Sequence, residues 1–176
     1  MIRITIKCKS RSIITTLYKA LVRPQLEYCV QVWRPYLKKD IEKLEKVQRR
    51  ATKMIHECRA LSYEKRLKFT GLTTLEERRN RGDLIEAFKI LKGLNKVDYK
   101  RFFKLNSNSR TRGNKLKLTK SRSRLDIRKH FFSQRVVNGW NSLPDFVVEA
   151  ESVNSFKNRY DSYINNQKDL QQLWEY

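Results

Sequence analysis

The chain has 176 residues, and its 40 Lys and Arg outnumber its 18 Asp and Glu, so that the formal net charge is +22. Only five Gly and three Pro are present, which excludes collagen-like and Pro/Gly-rich chains. No apolar run approaches the ~18 residues that a membrane span needs. Because a surface this basic repels itself unless a polyanion neutralises it, we expect a nucleic-acid partner rather than an anionic membrane or an acidic protein.

The positive charge is concentrated in one stretch. Residues 101–135 hold twelve basic residues and one acid, a net charge of +11, whereas residues 136–176 hold three basic and six acidic residues, a net charge of −3. A run of charge is commonly just a solvated face, but one this dense costs more self-repulsion and predicts a binding surface. The candidate nucleic-acid ligands in this stretch are Arg110, Arg112, Lys115, Lys117, Lys120, Arg122, Arg124, Arg128, Lys129 and Arg135.

Helical patterns dominate the first half of the chain. Ser12 is suited to cap a helix, and Pro24 predicts a break or kink near Arg23, because the residue before a proline avoids the helical region. The strongest pattern covers residues 40–59. It predicts an apolar stripe made of Ile41, Leu44, Val47, Ala51, Met54, Ile55 and Cys58.

A second stripe on the same helix is basic and lies about 120° from the apolar one. It consists of Lys39, Lys43, Lys46, Arg50 and Lys53, which recur at steps of three and four residues. One interpretation is an ordinary solvated face. The regular spacing favours a helix that lays these cations along a phosphate backbone.

Two further helices have clear end signals. Residues 62–72 read as a short helix that ends at Gly71, a natural left-handed cap. Thr74, with Glu77 three residues later, forms a capping-box signature that opens a helix through Leu94.

Residues 114–128 predict a small basic β-hairpin. Residues 115–119 and 125–128 each alternate apolar and charged side chains, and residues 106–113 read as a loop. In that arrangement Leu116 and Leu118 point to the core, while Lys115 and Lys117 point together to the other side.

The last third returns to helix. Residues 130–141 place Phe132, Val136 and Trp140 on one face, and Ser152 caps a final helix. Trp33 and Trp140 are predicted core anchors, and Cys29 and Cys58 are predicted small core residues. The aromatic residues Tyr99, Phe102 and Phe103 alternate with basic ones, so they could stack on bases, although core positions are the commoner use.

No catalytic or metal-binding motif is readable in the sequence. The Cys spacings match no zinc site, His56 and Cys58 lack two further ligands, and the seven Asp are scattered. We therefore predict no cofactor, no metal and no catalytic residue. The sequence lacks a secretory signal pattern, so we expect a cytoplasmic or nuclear protein that is not secreted.

Several runs of sequence resemble those of one protein family, and they occur in the same order as in that family. These runs are LYKALVRP (17–24), LEYC (26–29), VWRPY (32–36), IEKLEKVQRRATKMI (41–55), GLTTLEERR (71–79), RGDLI (81–85), FFSQRVVN (131–138), WNSLP (140–144) and SFKN (155–158). Over roughly residues 12–165, the chain resembles the region after the polymerase core in jockey-like non-LTR retrotransposon reverse transcriptases.

The resemblance implies a mainly α fold. Residues 12–96 would form a thumb-like helical bundle, and residues 97–165 a basic extension with the hairpin and two helices. Residues 1–11 do not look like family sequence, and residues 166–176 are predicted to fray. The family's palm aspartates are absent from this sequence, so we expect no polymerase activity from this chain alone.

The resemblance also implies a nucleic-acid partner, and two alternative functions stay open. A thumb grips template RNA or an RNA–DNA duplex without reading its sequence, in this family during target-primed reverse transcription. A second hypothesis is a docking subunit that completes a polymerase in trans by binding a separate polymerase core. A third is an inactive transposon relic whose basic surface binds any polyanion.

Overall fold

The computed structural model describes residues 8–106 and 114–173, and this part of the chain is mainly helical, as predicted. Two compact units, Met1–Arg81 and Gly82–Tyr176, make up the chain. The candidates Arg110 and Arg112 lie outside the described residues, as does most of the predicted extension at residues 1–11. The domain boundaries drawn from charge and family resemblance stay predictions.

The first unit begins with a continuous helical path. Helix α1 (Arg11–Leu17) passes into a π-helical turn (Tyr18–Val22), which continues as α2 (Arg23–Glu27). Pro24 lies directly after the π-helical turn, at the start of α2, and it has no backbone N–H to donate to the preceding turn. The discontinuity predicted near Arg23 is therefore a change of helix type, with helical structure on both sides.

Helix α3 (Lys38–Lys53) starts earlier and ends sooner than the predicted 40–59, and a 3₁₀ turn (His56–Cys58) follows it. Its fully buried side is largely polar. Ile41, Leu44, Val47 and Met54 of the predicted apolar stripe are only half-buried, whereas the buried helix residues are Glu45, Gln48, Ala51 and Thr52. The predicted stripe locates the inward side of α3 but misses the polar residues at its centre.

A buried hydrogen-bond network accounts for that polar side. The Tyr18 hydroxyl donates to Gln48 Oε1 at 2.7 Å, and Gln48 Nε2 donates to the Tyr63 hydroxyl and to the Thr73 carbonyl, each at 2.9 Å. The Tyr63 hydroxyl in turn donates to Glu45. Burial raises the pKa of both tyrosines well above the ordinary value, so they stay protonated donors. Gln48 thereby ties α3 to three other segments.

Gly71 and Thr74 are confirmed as end signals of the next two helices, the second of which ends at Leu91 and not at the predicted Leu94. Ser62 caps α4 (Tyr63–Thr70) by accepting a backbone N–H at 3.4 Å, and Gly71 ends it with φ 63°. Thr74 Oγ1 accepts the N–H three residues on, at 3.2 Å, and opens α5 (Leu75–Leu91). Local side-chain chemistry therefore sets these ends.

The second unit is built around stacked aromatic rings. After the end of α5 its helices are α6 (Asp126–Lys129), α7 (Phe132–Asn141), α8 (Asp145–Val148) and α9 (Val153–Leu173). The ring centroid of Phe156 lies 4.5 Å from that of Phe88 and 6.1 Å from that of Trp140. The predicted apolar face of α7, made of Phe132, Val136 and Trp140, is fully buried, which confirms it.

Two predicted core positions are wrong. Trp33 is 41% exposed, and the Arg79 guanidinium lies 5.7 Å from its ring. Cys29 is exposed and adopts a left-handed φ of 49°, because the chain turns there after α2. Val30, its neighbour, takes the buried position, and Cys58 is buried as predicted.

The predicted β-hairpin at residues 114–128 is also wrong. Its second arm is helix α6, and Leu118 forms only an isolated antiparallel bridge, with Leu105. The Asn141 side chain occupies the place that a second strand would take. Its Oδ1 accepts the Leu118 N–H at 2.8 Å, and its Nδ2 donates to the Leu118 carbonyl at 2.8 Å. Since one amide side chain satisfies both backbone groups, no partner strand is needed.

Candidate nucleic-acid interface

The predicted basic stripe of α3 lies on the helix surface. All five side chains are exposed: Lys39, Lys43, Lys46, Arg50 and Lys53. Lys43 pairs with Asp40 at 3.1 Å, and exposed pairs of this kind are weak. Among the described residues, the other four form no ion pair with the protein. The stripe is therefore available to an external polyanion.

A second group of exposed cations lies where the hairpin had been predicted. Lys120, Arg122 and Arg124 belong to an irregular segment before α6, and Arg128 belongs to α6 itself. The Arg128 guanidinium lies 5.4 Å from the Phe131 ring centroid, which leaves its charge at the surface. These four cations are accessible although they do not share the face of a β-ribbon.

Three other candidates have partners within the protein. Lys115 Nζ donates to Glu149 at 2.9 Å, which raises the pKa of Lys115 and lowers that of Glu149. Lys129 Nζ donates to Asp126 at 2.8 Å and lowers the Asp126 pKa. Both pairs are exposed and open readily to solvent. Lys117 is half-buried and also interacts within the chain.

Arg135 differs from the other candidates because it is committed to the core of the second unit. Its Nε and Nη2 donate to the two carboxylate oxygens of Asp83 at 2.9 and 2.8 Å. The side chains of Arg135 and Asp83 are 12% and 3% exposed. Its Nη1 donates to the His130 carbonyl at 2.9 Å. Because its guanidinium is held in this pair, Arg135 does not belong to the candidate interface.

One pocket joins three of the predicted cations to a residue that the sequence did not single out. It has a volume of about 460 Å³ and is lined by Lys120, Ser121, Arg122, Ser123, Lys129 and Gln134. Gln134 is only 5% exposed, and its Oε1 has no hydrogen-bond partner. Nothing in the sequence marks Gln134, because its role depends on the irregular segment folding over the start of α7.

The aromatic candidates divide between core and surface. Phe103 is buried, with its ring centroid 5.8 Å from that of Phe132, so it is a core residue. Tyr99 is half-buried against the same cluster. Phe102 is exposed and is the one of the three that could stack on a base.

Neither a cluster of metal ligands nor a membrane-spanning helix is found among the described residues. No group of three His, Cys, Asp or Glu side chains is placed to hold a metal ion there. No helix within the same residues is long and apolar enough to cross a bilayer.

Comparison with known proteins adds no relative. The chain matches no protein-family model, and no curated protein or solved structure is significantly similar to it. The resemblance to jockey-like reverse transcriptases therefore stays a prediction that depends on the sequence runs themselves.

Proposed function

We propose that this chain binds template RNA or an RNA–DNA duplex through the phosphate backbone, without sequence specificity. The observation that carries the proposal is two groups of exposed cations: Lys39, Lys46, Arg50 and Lys53 on α3, and Lys120, Arg122, Arg124 and Arg128 around α6. Lys and Arg side chains at such positions hold phosphates and release counterions, and they carry no base readout.

The proposal also covers the reaction that this region would support in a reverse transcriptase. The sequence runs and the mainly helical fold fit the thumb and C-terminal region of a non-LTR reverse transcriptase, where gripping nucleic acid supports RNA-templated DNA synthesis. This chain would hold the nucleic acid without catalysing a reaction, so we expect no polymerase activity when it is assayed alone.

Removing either cation group should weaken RNA binding and reduce its salt dependence. The measurement is fluorescence anisotropy of a labelled structured RNA at several salt concentrations, with each group of four changed to Ala. Each neutralised phosphate contributes about 0.7 to the log–log salt slope on a single strand, so we expect the slope to flatten by up to about 3 per group. Affinity at physiological salt should fall at least about tenfold.

The control variant removes the same charge from elsewhere on the surface. Arg59, Lys65, Lys68 and Lys96 are exposed and belong to neither group, so changing them to Ala matches the loss of four charges. We expect an affinity change below about threefold for this control. Equal losses in all three variants, with heparin competing as well as RNA, would instead favour the inactive relic.

A second candidate function, docking on a separate polymerase core, is favoured by an exposed apolar surface in the first unit. Val32 and Tyr28 are 82% and 71% exposed, although large apolar side chains are costly to leave in water. The other large apolar residues exposed between residues 21 and 37 are Leu21, Trp33, Tyr36 and Leu37. A partner that covers this patch would remove that cost.

Co-expression with the polymerase core of a jockey-like element tests this candidate. We expect the core to co-purify with the wild-type chain and to be lost with the double variant Tyr28→Asp/Val32→Asp, because two carboxylates would then be buried on docking. Leu170→Asp, at an exposed apolar position in the second unit, serves as the control and should retain the core. Retention by the double variant would contradict docking through this patch.

A further inference from the structure

Three large apolar side chains are exposed within seven consecutive residues of the second unit. Leu125 and Ile127 are 71% and 74% exposed, and Phe131 is 50% exposed. Leu125 and Phe131 flank helix α6, and Ile127 lies within it. Phosphate binding accounts for cations and not for apolar side chains, so the proposed function leaves this surface unused.

Phe131 has the geometry of a stacking platform. The Arg128 guanidinium lies over the Phe131 ring, 5.4 Å from its centroid, and so covers one face. No other ring among the described residues packs on Phe131, in contrast to Phe132, whose ring meets that of Phe103. A half-exposed ring with a guanidinium on one face leaves its other face to a flat ligand.

The charge around Phe131 selects an anionic ligand. Asp126 is the one acid of residues 101–135, and it is already paired with Lys129 at 2.8 Å. The exposed cations of the same stretch are Lys120, Arg122, Arg124 and Arg128. A ligand that combines a flat ring with phosphates on either side is a nucleotide whose base is unpaired, because bases inside a duplex have both faces covered by their neighbours.

We infer that Phe131, backed by Arg128, stacks on an unpaired base of a nucleic-acid strand, while the cations of residues 120–129 hold the flanking phosphates. Every base has a π face, so this contact adds no sequence specificity. The inference rests on the proposed function and deepens it, because it adds a contact to the bases and names single-stranded nucleic acid, and not duplex, as the ligand of this site.

An anionic bilayer would also meet basic and apolar side chains together. Binding in the plane of a bilayer requires an apolar face along an amphipathic helix, whereas α6 has only four residues. Arg128 also lies over the ring that would have to enter the lipid. The geometry therefore favours a base over a lipid, and vesicle binding is one arm of the test.

The test compares an unpaired strand with a duplex. A labelled uridine octamer and a labelled RNA duplex are titrated by fluorescence anisotropy against the wild-type chain and against Phe131→Leu, which keeps an apolar side chain without the ring. We expect Phe131→Leu to bind the octamer at least about fivefold more weakly, the lower bound for one base–aromatic stack. Its affinity for the duplex should stay within about twofold of the wild type, since phosphate contacts are unchanged.

Two further measurements separate stacking from folding and from general hydrophobicity. An octamer of abasic ribose sites keeps the phosphates without the bases, so the wild type should bind it at least about fivefold more weakly than the uridine octamer, and this arm needs no variant. Phe146→Leu is the matched control, because Phe146 is 51% exposed in the same unit and its ring meets Tyr163 edge-on. It should bind the uridine octamer within about twofold of the wild type.

The outcomes distinguish this inference from the function on which it rests. Equal affinity of the wild type for the uridine and abasic octamers would overturn the base contact and leave phosphate binding in place. Unchanged octamer affinity in Phe131→Leu would overturn it too, and loss of binding to phosphatidylserine vesicles in that variant would then assign the surface to lipid. If neither the octamer nor the duplex binds the wild type, the proposed function itself is wrong.

Discussion

Replacing Asp83 with Ala should destabilise the second unit by about 3–5 kcal/mol, the usual cost of leaving one member of a buried ion pair without its partner. Asp83 is 3% exposed at its side chain, and both of its carboxylate oxygens accept from Arg135. Without that carboxylate, the Arg135 guanidinium stays largely buried and loses the two hydrogen bonds that it donates to Asp83. Urea unfolding followed by circular dichroism would measure the loss.

A double variant identifies the source of that loss. Changing both partners, Asp83→Leu with Arg135→Met, removes the charges together and should recover most of the stability, because apolar residues of similar volume often replace a buried pair at little cost. Asp126→Ala is the matched control, since it breaks the exposed pair with Lys129 and should leave the unfolding curve unchanged. A loss in Asp83→Ala no larger than in that control would contradict the burial of the pair.

The fold was predictable where local chemistry decides the structure. Ser62, Gly71 and Thr74 mark helix ends by bonds or backbone angles within a few residues, and the α7 stripe follows helical periodicity. The hairpin prediction failed because the Leu118 backbone bonds to the Asn141 side chain, 23 residues away. An alternating pattern also arises in an extended segment that packs against a helix, so alternation alone does not imply a second strand.

The candidate interface was predictable as far as charge determines it. The stripe of α3 needs only helical spacing, and its five cations are indeed exposed. Arg135 looks like its neighbours in sequence, and only the packing of α5 against α7 brings it to Asp83. Gln134 could not be singled out from the sequence, because an uncharged polar side chain becomes notable only when the fold buries it without a hydrogen-bond partner. Helical periodicity does not reveal contacts between residues that lie far apart in the chain.

The second large effect is expected at Trp140. Trp140→Ala should cost about 3–5 kcal/mol, because truncating a fully buried aromatic ring leaves a cavity in the core. The ring is 0% exposed and stacks on Phe156 with centroids 6.1 Å apart. Its Nε1 also donates to the Leu116 carbonyl at 2.8 Å, which fixes the segment leading to Lys120. Thermal unfolding and amide hydrogen exchange would measure both consequences.

Trp140→Phe separates those two contributions. Phenylalanine keeps most of the buried ring but cannot donate to Leu116, so we expect a smaller loss of about 1–3 kcal/mol. Hydrogen exchange should then quicken over residues 114–119 while α9 stays protected, because the aromatic stack survives. If exchange quickens equally in α9, the ring holds the whole core and the bond to Leu116 has no separate role. If it quickens only in the segment, Trp140 is the residue that connects the core of the second unit to its basic surface.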